Sequence, residues 1–222
     1  MFLVGDILIC MGILPAILVV FVTFCILIFA EYLSRLKQIH AELTRKLVHV
    51  AVGTFVAFWP FFLTWRQIQF LSLAFFVVVC LSIRMDIFRS IHAVKRSITG
   101  ELLFAIVIGL LALIATDKWI FMAAMLHLSV ADGLAAVVGL GWGDTNSYKV
   151  MGKEKSIAGS LAFLVTSFVI LGIYALFSNS DTSLATLLVL PFVATAVENI
   201  AVNGTDNLVM PLLIAVVLAS GV

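Results

Sequence analysis

Long apolar runs without charge are the feature that most constrains how this chain can fold. The run from Ile7 to Ala30 contains no Asp, Glu, Lys or Arg, and a helix of that length can cross the roughly 30 Å hydrocarbon core of a bilayer. Across the chain 64% of residues are hydrophobic and 11% are charged, whereas a soluble domain has roughly 45–50% apolar and about 25% charged residues. Most of the chain therefore requires the bilayer as its solvent.

Charged and turn residues divide the chain into eight apolar segments. We predict an all-α, polytopic integral membrane protein with seven or eight transmembrane helices, folded as one transmembrane domain over residues 1–222. Several segments are shorter than the roughly 20 residues of a full span, so the count stays between seven and eight. The predicted segments are residues 7–30, 47–65, 67–83, 102–116, 119–139, 157–177, 184–202 and 208–222.

The positions of the basic residues predict an orientation. Cytoplasmic loops carry an excess of Lys and Arg. If the loop of residues 31–46 is cytoplasmic and the segments alternate, all of the 13 Lys and Arg residues except Arg66 and Lys118 fall on the inner side. We therefore predict an N-terminus outside and a charged face in the cytoplasm. The net charge of +1 gives no indication of a nucleic-acid partner.

Acidic residues gather on the same predicted inner face, although they contribute little to topology. They are Glu31, Glu42, Asp86, Glu101, Asp132, Asp144, Glu154, Glu198 and Asp206. One explanation is pairing with the basic residues of that face. The other is a site for a divalent metal and a phosphorylated substrate.

A polar stripe begins the second segment. Its members are Glu42, Arg45, Lys46 and His49, and their spacing places all of them on one helical face. In one interpretation Glu42 pairs with the basic residues and His49 lies at the headgroup level. In the other the stripe grips phosphate oxygens, because Arg offers a planar fork and Lys a point charge.

Asp132 lies within the apolar fifth segment, in the stretch Ala131-Asp132-Gly133-Leu134-Ala135. A charged residue at membrane depth is costly and is by default a functional candidate. The alternative is a buried carboxylate that is paired with a neighbouring Lys or Arg. His127 is five residues earlier, so we expect it to project to a different side and to be packed or interfacial, with no role in the site.

Glycines, lysines and serines between residues 139 and 160 suggest an anion site. Gly139 and Gly141 close the fifth segment, and glycine lets the backbone approach a phosphate, although it also ends helices. The next segment is introduced by Lys153-Glu154-Lys155-Ser156-Ile157-Ala158-Gly159-Ser160. Free amides and the helix dipole would add to the lysine charges there. The alternative is a capping serine with lysines that anchor the topology.

Two acid–amide pairs, Glu198-Asn199 and Asp206-Asn207, flank a turn between the last two segments. Clusters of oxygen ligands suit Mg²⁺, which is bound by carboxylates, waters and substrate phosphates. These pairs therefore predict a magnesium site. The alternative is a polar turn made of capping residues.

Together these blocks resemble the polyprenol kinase family, which includes dolichol kinases, phytol kinases and the CTP-dependent diacylglycerol kinase. The resemblance lies in four stretches in the same order: residues 42–49, residues 131–135 with the glycines that follow, residues 153–160, and the pairs 198–199 and 206–207. It implies transfer of the γ-phosphoryl group from a nucleoside triphosphate, usually CTP, to a lipid alcohol, with Mg²⁺ as the divalent ion.

The resemblance also implies roles for individual residues. The metal would be held by Asp132, Glu198 and Asp206. Catalysis would involve Asp132, Lys155, Arg45 and Lys46, with Asp132 as either metal ligand or general base, and Glu42 and His49 are further candidates. The nucleotide would contact Arg45, Lys46, Gly139, Gly141, Lys153, Lys155, Ser156, Gly159, Ser160, Asn199 and Asn207.

We therefore expect a lipid-alcohol kinase, dependent on CTP or ATP, that acts on dolichol, polyprenol or phytol at the cytoplasmic membrane face. One alternative is a diacylglycerol kinase or an enzyme resembling CTP:phosphatidate cytidylyltransferase, although the Lys-Asp, His-Gly-Gly and paired-aspartate signature of the latter is absent. Another is a small transporter or lipid-binding protein. Transport needs a polar path through the whole membrane, whereas few charges lie on the predicted outer side.

Overall fold

The structure is a computed structural model that describes residues 2–35, 41–85, 97–142, 146–179, 181–202 and 204–221. Within these ranges the side chains of residues 2–11, 31, 33–35, 41–45 and 97–98 are not described. Each of the eight predicted apolar segments contains a helix in the described part of the chain. The all-α class is therefore confirmed, with a small β-hairpin as an addition that was not predicted.

The described elements follow one another along the chain with short connections. They are α1 (Phe2–Arg35), α2 (Ala41–Ala57), a 3-10 turn (Trp59–Phe61), α3 (Trp65–Met85), α4 (Ser97–Ile114), α5 (Lys118–Leu126), a π-helical turn (His127–Ala131), α6 (Asp132–Trp142), β1 (Ser147–Val150), β2 (Lys153–Ser156), α7 (Ile157–Phe177), α8 (Leu184–Ile200) and α9 (Asp206–Ala219).

Four helical stretches among the described residues are long and apolar enough to cross a membrane. They are Gly12–Ala30, Trp65–Met85, Lys118–Trp142 and Ile157–Phe177. The shorter apolar helices are Lys46–Phe61, Thr99–Ile114, Leu184–Ile200 and Asp206–Ala219. Seven or eight spans would require most of these shorter helices to cross the membrane as well. The number of spans and the orientation of the N-terminus therefore stay predictions.

The second predicted segment contains the end of a helix and a turn. We expected an apolar segment over residues 47–65, but α2 ends at Ala57 and a 3-10 turn follows. Pro60 explains the difference, because it has no N–H with which to continue the helical hydrogen bonds. The next helix, α3, begins at Trp65.

The continuous span Lys118–Trp142, which joins α5, the π-helical turn and α6, is the centre of the bundle. In its most apolar window 72% of residues are buried inside the protein, compared with 28% for α7. Helices α2, α7 and α9 all pack against its π-helical turn. Asp132 therefore faces protein rather than lipid, as expected for a charged residue at membrane depth.

Small residues bring α2 and the central span into close contact. A methyl group on Gly53 would lie 2.5 Å from Ser129 Cβ, and one on Gly133 would lie 2.1 Å from a methyl carbon of Val50. Small residues at helix interfaces allow such approach in membrane proteins. This packing sets the position of the α2 stripe relative to Asp132.

Candidate active site

Lys46 and Asp132 form an ion pair at the junction of α2 and α6. The Lys46 Nζ lies 2.7 Å from the Asp132 Oδ2, and the side chains are 14% and 8% exposed. The close approach of α2 to α6, where Val50 contacts Gly133, brings the two groups together. The pairing that was predicted as an alternative for Asp132 is therefore present. The pair also places a cation and a carboxylate next to each other at the position where a site for a metal and a phosphorylated substrate was predicted.

His49 lies on the same face of α2 as Lys46 and contacts the π-helical turn. Its Nε2 is 2.9 Å from the Leu128 carbonyl oxygen and 3.8 Å from Asp132 Oδ2. Because a carbonyl oxygen can only accept, the Nε2 carries the hydrogen and donates it to Leu128. The ring also packs edge-on against Phe104, with 5.1 Å between centroids. His49 therefore tethers α2 to the helix that carries Asp132.

The π-helical turn immediately precedes Asp132. The Asp132 amide donates to the His127 carbonyl five residues earlier, which is the hydrogen-bond pattern of a π-helix and is frequent at functional sites. His127 is fully buried, and its ring nitrogens lie 2.7 Å from Ala123 O and 2.8 Å from Ser167 Oγ. It is packed against α7, which matches the expectation of a packed histidine.

The hairpin of β1 and β2 carries the two lysines of the predicted anion site. Its strands pair antiparallel, with Tyr148 opposite Lys155 and Val150 opposite Lys153. These four side chains are half-buried, whereas Ser147, Lys149 and Glu154 are exposed. The face that carries the two lysines is therefore turned toward the helices.

Both lysines contact the C-terminal end of α8. Lys155 forms an ion pair with the buried carboxylate of Glu198 and also donates to the Glu198 carbonyl at 3.2 Å. Lys153 donates to the carbonyl of Ala201 at 3.0 Å. The last carbonyls of a helix lack partners within the helix and carry partial negative charge, so cations are favoured at this position.

The two ion pairs belong to one electrostatic cluster. The Asp132 carboxylate lies within electrostatic range of Lys46, His49 and Lys155. The Glu198 carboxylate lies within electrostatic range of Lys155, Asp132 and Asp206. The structure therefore brings together residues from α2, α6, the hairpin, α8 and α9.

The predicted amide and serine residues are engaged with protein groups. Ser160 donates to Asn199 Oδ1 at 3.0 Å, and Tyr148 contacts both of them. Asn207 donates to the carbonyl of Gly100 at 2.8 Å. A nucleotide contact for Ser160, Asn199 and Asn207 stays a prediction.

The predicted glycines divide into two groups. Gly139 and Gly159 lie at the interface of α6 and α7, where a methyl group on Gly159 would be 2.8 Å from the Ala135 carbonyl oxygen. Ser156 is buried beside them and caps α7 by accepting from the Gly159 amide at 3.0 Å, which matches the capping interpretation. A methyl group on Gly141 would meet nothing within 4 Å. Phosphate contacts for these residues stay predictions.

Two further predicted residues, Glu42 and Arg45, have side chains outside the described part of the chain. Their backbone belongs to α2. Their roles stay as the sequence predicts them.

The carboxylates of the cluster fit a magnesium ion that is shared with a substrate. No ready-made group of three or more His, Cys, Asp or Glu ligands occurs among the residues that the structure describes. Mg²⁺ does not need one, because it is usually held by one or two carboxylates together with phosphates and waters. Asp132, Glu198 and Asp206 supply such carboxylates, and the buried Oδ1 of Asp206 has no hydrogen-bond partner among the described residues.

Three features of the site could not be identified from the motifs alone. They are the π-helical turn, the Leu128 carbonyl that receives His49, and Tyr148. The hairpin had a usable signal, because two short polar stretches flank Met151-Gly152 and a two-residue connection with Gly is typical of hairpins. That signal would have placed Tyr148 on the same face as Lys155.

Comparison with known proteins gives one informative match. The chain is 35% identical over 191 residues to "Phytol kinase" from Synechocystis sp., and the match covers 82% of this chain and 81% of that protein. No family model matches the chain, and no solved structure matches it.

Proposed function

This chain belongs to the polyprenol/phytol kinase family, and we propose that it is a membrane-bound kinase that phosphorylates the hydroxyl group of an isoprenoid alcohol. The observation that carries the proposal is the charge cluster, in which the ion pairs Lys46–Asp132 and Lys155–Glu198 come from separate parts of the chain and lie within electrostatic range of each other. Such a cluster has the charges that a metal-bound triphosphate requires. The phytol kinase relative supports an alcohol as the phosphate acceptor.

The chemistry needs positioning and charge neutralisation more than covalent help from the protein. The alcohol oxygen forms a bond to the γ-phosphorus while the bond from that phosphorus to the β–γ bridging oxygen breaks. The products are a lipid phosphate and a nucleoside diphosphate, and the hydroxyl proton is released. Lys46 and Lys155 would turn from their carboxylate partners toward the phosphate oxygens, where a lysine acts as a point charge.

The carboxylates would hold Mg²⁺, which when bound would neutralise charge on the phosphates. Asp132, Glu198 and Asp206 are the proposed ligands. Asp132 has a second possible role as the base that takes the hydroxyl proton, and both roles require its charged form. In the structure Lys46 pairs with that charge.

The donor that we propose is CTP, with ATP as the alternative. The family resemblance supports CTP, and none of the side chains described at the site gives a basis for distinguishing the two. The alcohol would enter sideways from the bilayer and the nucleotide from the cytoplasm, because the positive-inside pattern favours a cytoplasmic location for this end of the bundle. That orientation places the N-terminus outside and implies seven or eight spans.

The test is an assay of purified protein in lipid vesicles with CTP or ATP that is labelled at the γ-phosphate. Phytol, farnesol, geranylgeraniol, dolichol and diacylglycerol are offered separately, each with Mg²⁺ and with EDTA in place of Mg²⁺. We expect label on an isoprenoid alcohol only when Mg²⁺ is present. Asp181→Asn, a change at an exposed residue between α7 and α8, should be as active as the unchanged protein.

Other outcomes would contradict the proposal in distinct ways. Label on diacylglycerol alone would mean a diacylglycerol kinase. Release of labelled pyrophosphate in the presence of phosphatidate would mean a cytidylyltransferase. Uptake of a solute into vesicles without any lipid labelling would favour a transporter.

A further inference from the structure

Tyr148 has no part in the phosphoryl-transfer scheme above, yet its hydroxyl group joins the hairpin to two helices. It donates to Asn199 Oδ1 on α8 at 2.7 Å and lies 2.6 Å from Ser160 Oγ on α7. Ser160 and Asn199 are themselves hydrogen-bonded at 3.0 Å. We call Tyr148, Ser160 and Asn199 the polar triangle.

The amide of Asn199 is held in one orientation. Its Nδ2 donates to the Thr195 carbonyl at 3.0 Å, so its Oδ1 must face the two hydroxyl groups. The polar triangle therefore fixes the position of Tyr148 relative to the end of α8.

Fixing Tyr148 also fixes Lys155. The two residues are direct partners across the hairpin, and side chains in such a pair are about 5 Å apart at Cβ. They contact consecutive residues of α8, because Tyr148 reaches Asn199 and Lys155 reaches Glu198. The hairpin is thus held against the end of α8 by Tyr148, by the Lys155–Glu198 ion pair and by the bond from Lys153 to the Ala201 carbonyl.

The hairpin needs such contacts because it has little stability of its own. A two-stranded hairpin is marginal in water. Its turn also places Met151 at φ 49° and Gly152 at φ 76°, and the first of these angles is unfavourable for a residue with a side chain. Contacts with the helices must therefore hold it in place.

We propose that Tyr148 is a positioning residue that keeps the hairpin, and with it Lys155, in place when a nucleotide binds. The proposal rests on the proposed phosphoryl-transfer function. When Lys155 turns from Glu198 to the phosphates, the ion pair between the hairpin and α8 is lost, and the hairpin keeps the Lys153 bond to Ala201 and the polar triangle. The polar triangle has no charge for a metal-bound triphosphate to pair with, so in this proposal Ser160 and Asn199 stay bonded to Tyr148 and do not contact the nucleotide, and Lys155 stays within reach of its new partner.

The first test compares Tyr148→Phe with Tyr174→Phe. Both changes remove one hydroxyl group, and Tyr174 is a buried residue toward the other end of α7 whose hydroxyl lies 3.4 Å from Thr182 Oγ1. We expect Tyr148→Phe to raise the KM for the nucleotide by about tenfold, in line with the loss of hydrogen bonds, and to leave the KM for the alcohol unchanged. Tyr174→Phe should change neither.

The second test does not depend on activity. Trypsin can cleave the hairpin after Lys149 and Lys153, and CTP with Mg²⁺ should slow that cleavage in the unchanged protein. We expect Tyr148→Phe to be cleaved several times faster and to be protected less by CTP with Mg²⁺. Cleavage and protection like those of the unchanged protein would overturn the proposal, as would faster cleavage with an unaltered nucleotide KM. If the unchanged protein labels no alcohol, the proposed function fails, and the trypsin comparison still decides the role of Tyr148.

A double-variant cycle provides the final check. If the polar triangle acts as a unit, Ser160→Ala combined with Tyr148→Phe should weaken nucleotide protection no more than the more severe single change. If the effects of Tyr148→Phe and Ser160→Ala on nucleotide protection multiply in the double variant, the two residues act independently. That result would overturn the proposal.

Discussion

At the scale of single residues, Asp132 is the side chain on which the proposed chemistry most depends. Asp132→Asn keeps the size of the side chain but removes the charge needed by a metal ligand or a base. We expect turnover to fall by at least about a hundredfold, as measured by transfer of the γ-label to the alcohol. The matched change Asp181→Asn should leave turnover unaltered, and an active Asp132→Asn protein would refute the assignment.

The Lys46–Asp132 pair allows stability and activity to be separated. Lys46→Met leaves the Asp132 charge buried without its close partner, which should cost about 3–5 kcal/mol of stability. Adding Asp132→Asn removes the stranded charge and should restore most of that loss, as measured by thermal unfolding in detergent. Neither variant should transfer phosphate. A double variant as unstable as Lys46→Met would show that the ion pair is not the source of the loss.

At this scale the sequence indicated most of the important residues but not their contacts. The cost of a carboxylate in an apolar helix identified Asp132, and helical spacing placed Lys46 and His49 on one face. Spacing could not show that Asp132 meets Lys46, because that distance depends on the approach of Val50 to Gly133. Nor could it show that Ser156 caps α7.

At the scale of elements, the interface between α6 and α7 depends on Gly159. An alanine there would place its methyl group 2.8 Å from the Ala135 carbonyl oxygen, whereas an alanine at Gly172 on the same helix would meet nothing within 4 Å. We expect Gly159→Ala to lower stability by about 1–3 kcal/mol. Gly172→Ala should be neutral or stabilising by up to about 1 kcal/mol, because alanine favours helix. Thermal unfolding of both variants would decide, and equal effects would contradict this account of the interface.

The hairpin turn provides a second prediction at this scale. Met151 is 72% exposed and has a left-handed backbone conformation, which Asn adopts more easily than Met. Met151→Asn should therefore slow tryptic cleavage of the hairpin while leaving the melting temperature of the whole protein nearly unchanged. Faster cleavage of Met151→Asn would mean that the Met151 side chain itself holds the turn.

The helices were largely predictable because apolar runs in a membrane protein have few other folds available. The segment predicted over residues 157–177 coincides with α7, whereas the segment predicted over residues 47–65 includes the end of α2 at Ala57 and the turn around Pro60. The hairpin was not predicted, because each of its strands is only four residues long and mostly polar. We can identify no sequence signal that predicts the π-helical turn.

At the scale of the whole molecule, the orientation in the membrane is open to direct test. Single cysteines replacing Met151 at the hairpin tip and Asn179 beyond the end of α7 should lie on opposite sides of the bilayer. A thiol reagent that cannot cross membranes should label Asn179→Cys in intact cells and Met151→Cys only after the membrane is opened, with the unchanged protein as the blank. The reverse pattern would place the site outside the cell, and labelling of both in intact cells would rule out a span between them.

The central claim is that separate parts of the chain form a single nucleotide site, and equilibrium binding of CTP with Mg²⁺ tests it most directly. Lys46 belongs to α2 and Lys155 to the hairpin, whereas Lys118 at the start of α5 contacts Phe61 and Trp119. We expect Lys46→Met and Lys155→Met each to raise the Kd by about tenfold or more, an amount equal to about 1.4 kcal/mol, and Lys118→Met to leave it unchanged. Unaltered affinity in either of the first two variants would contradict a shared site.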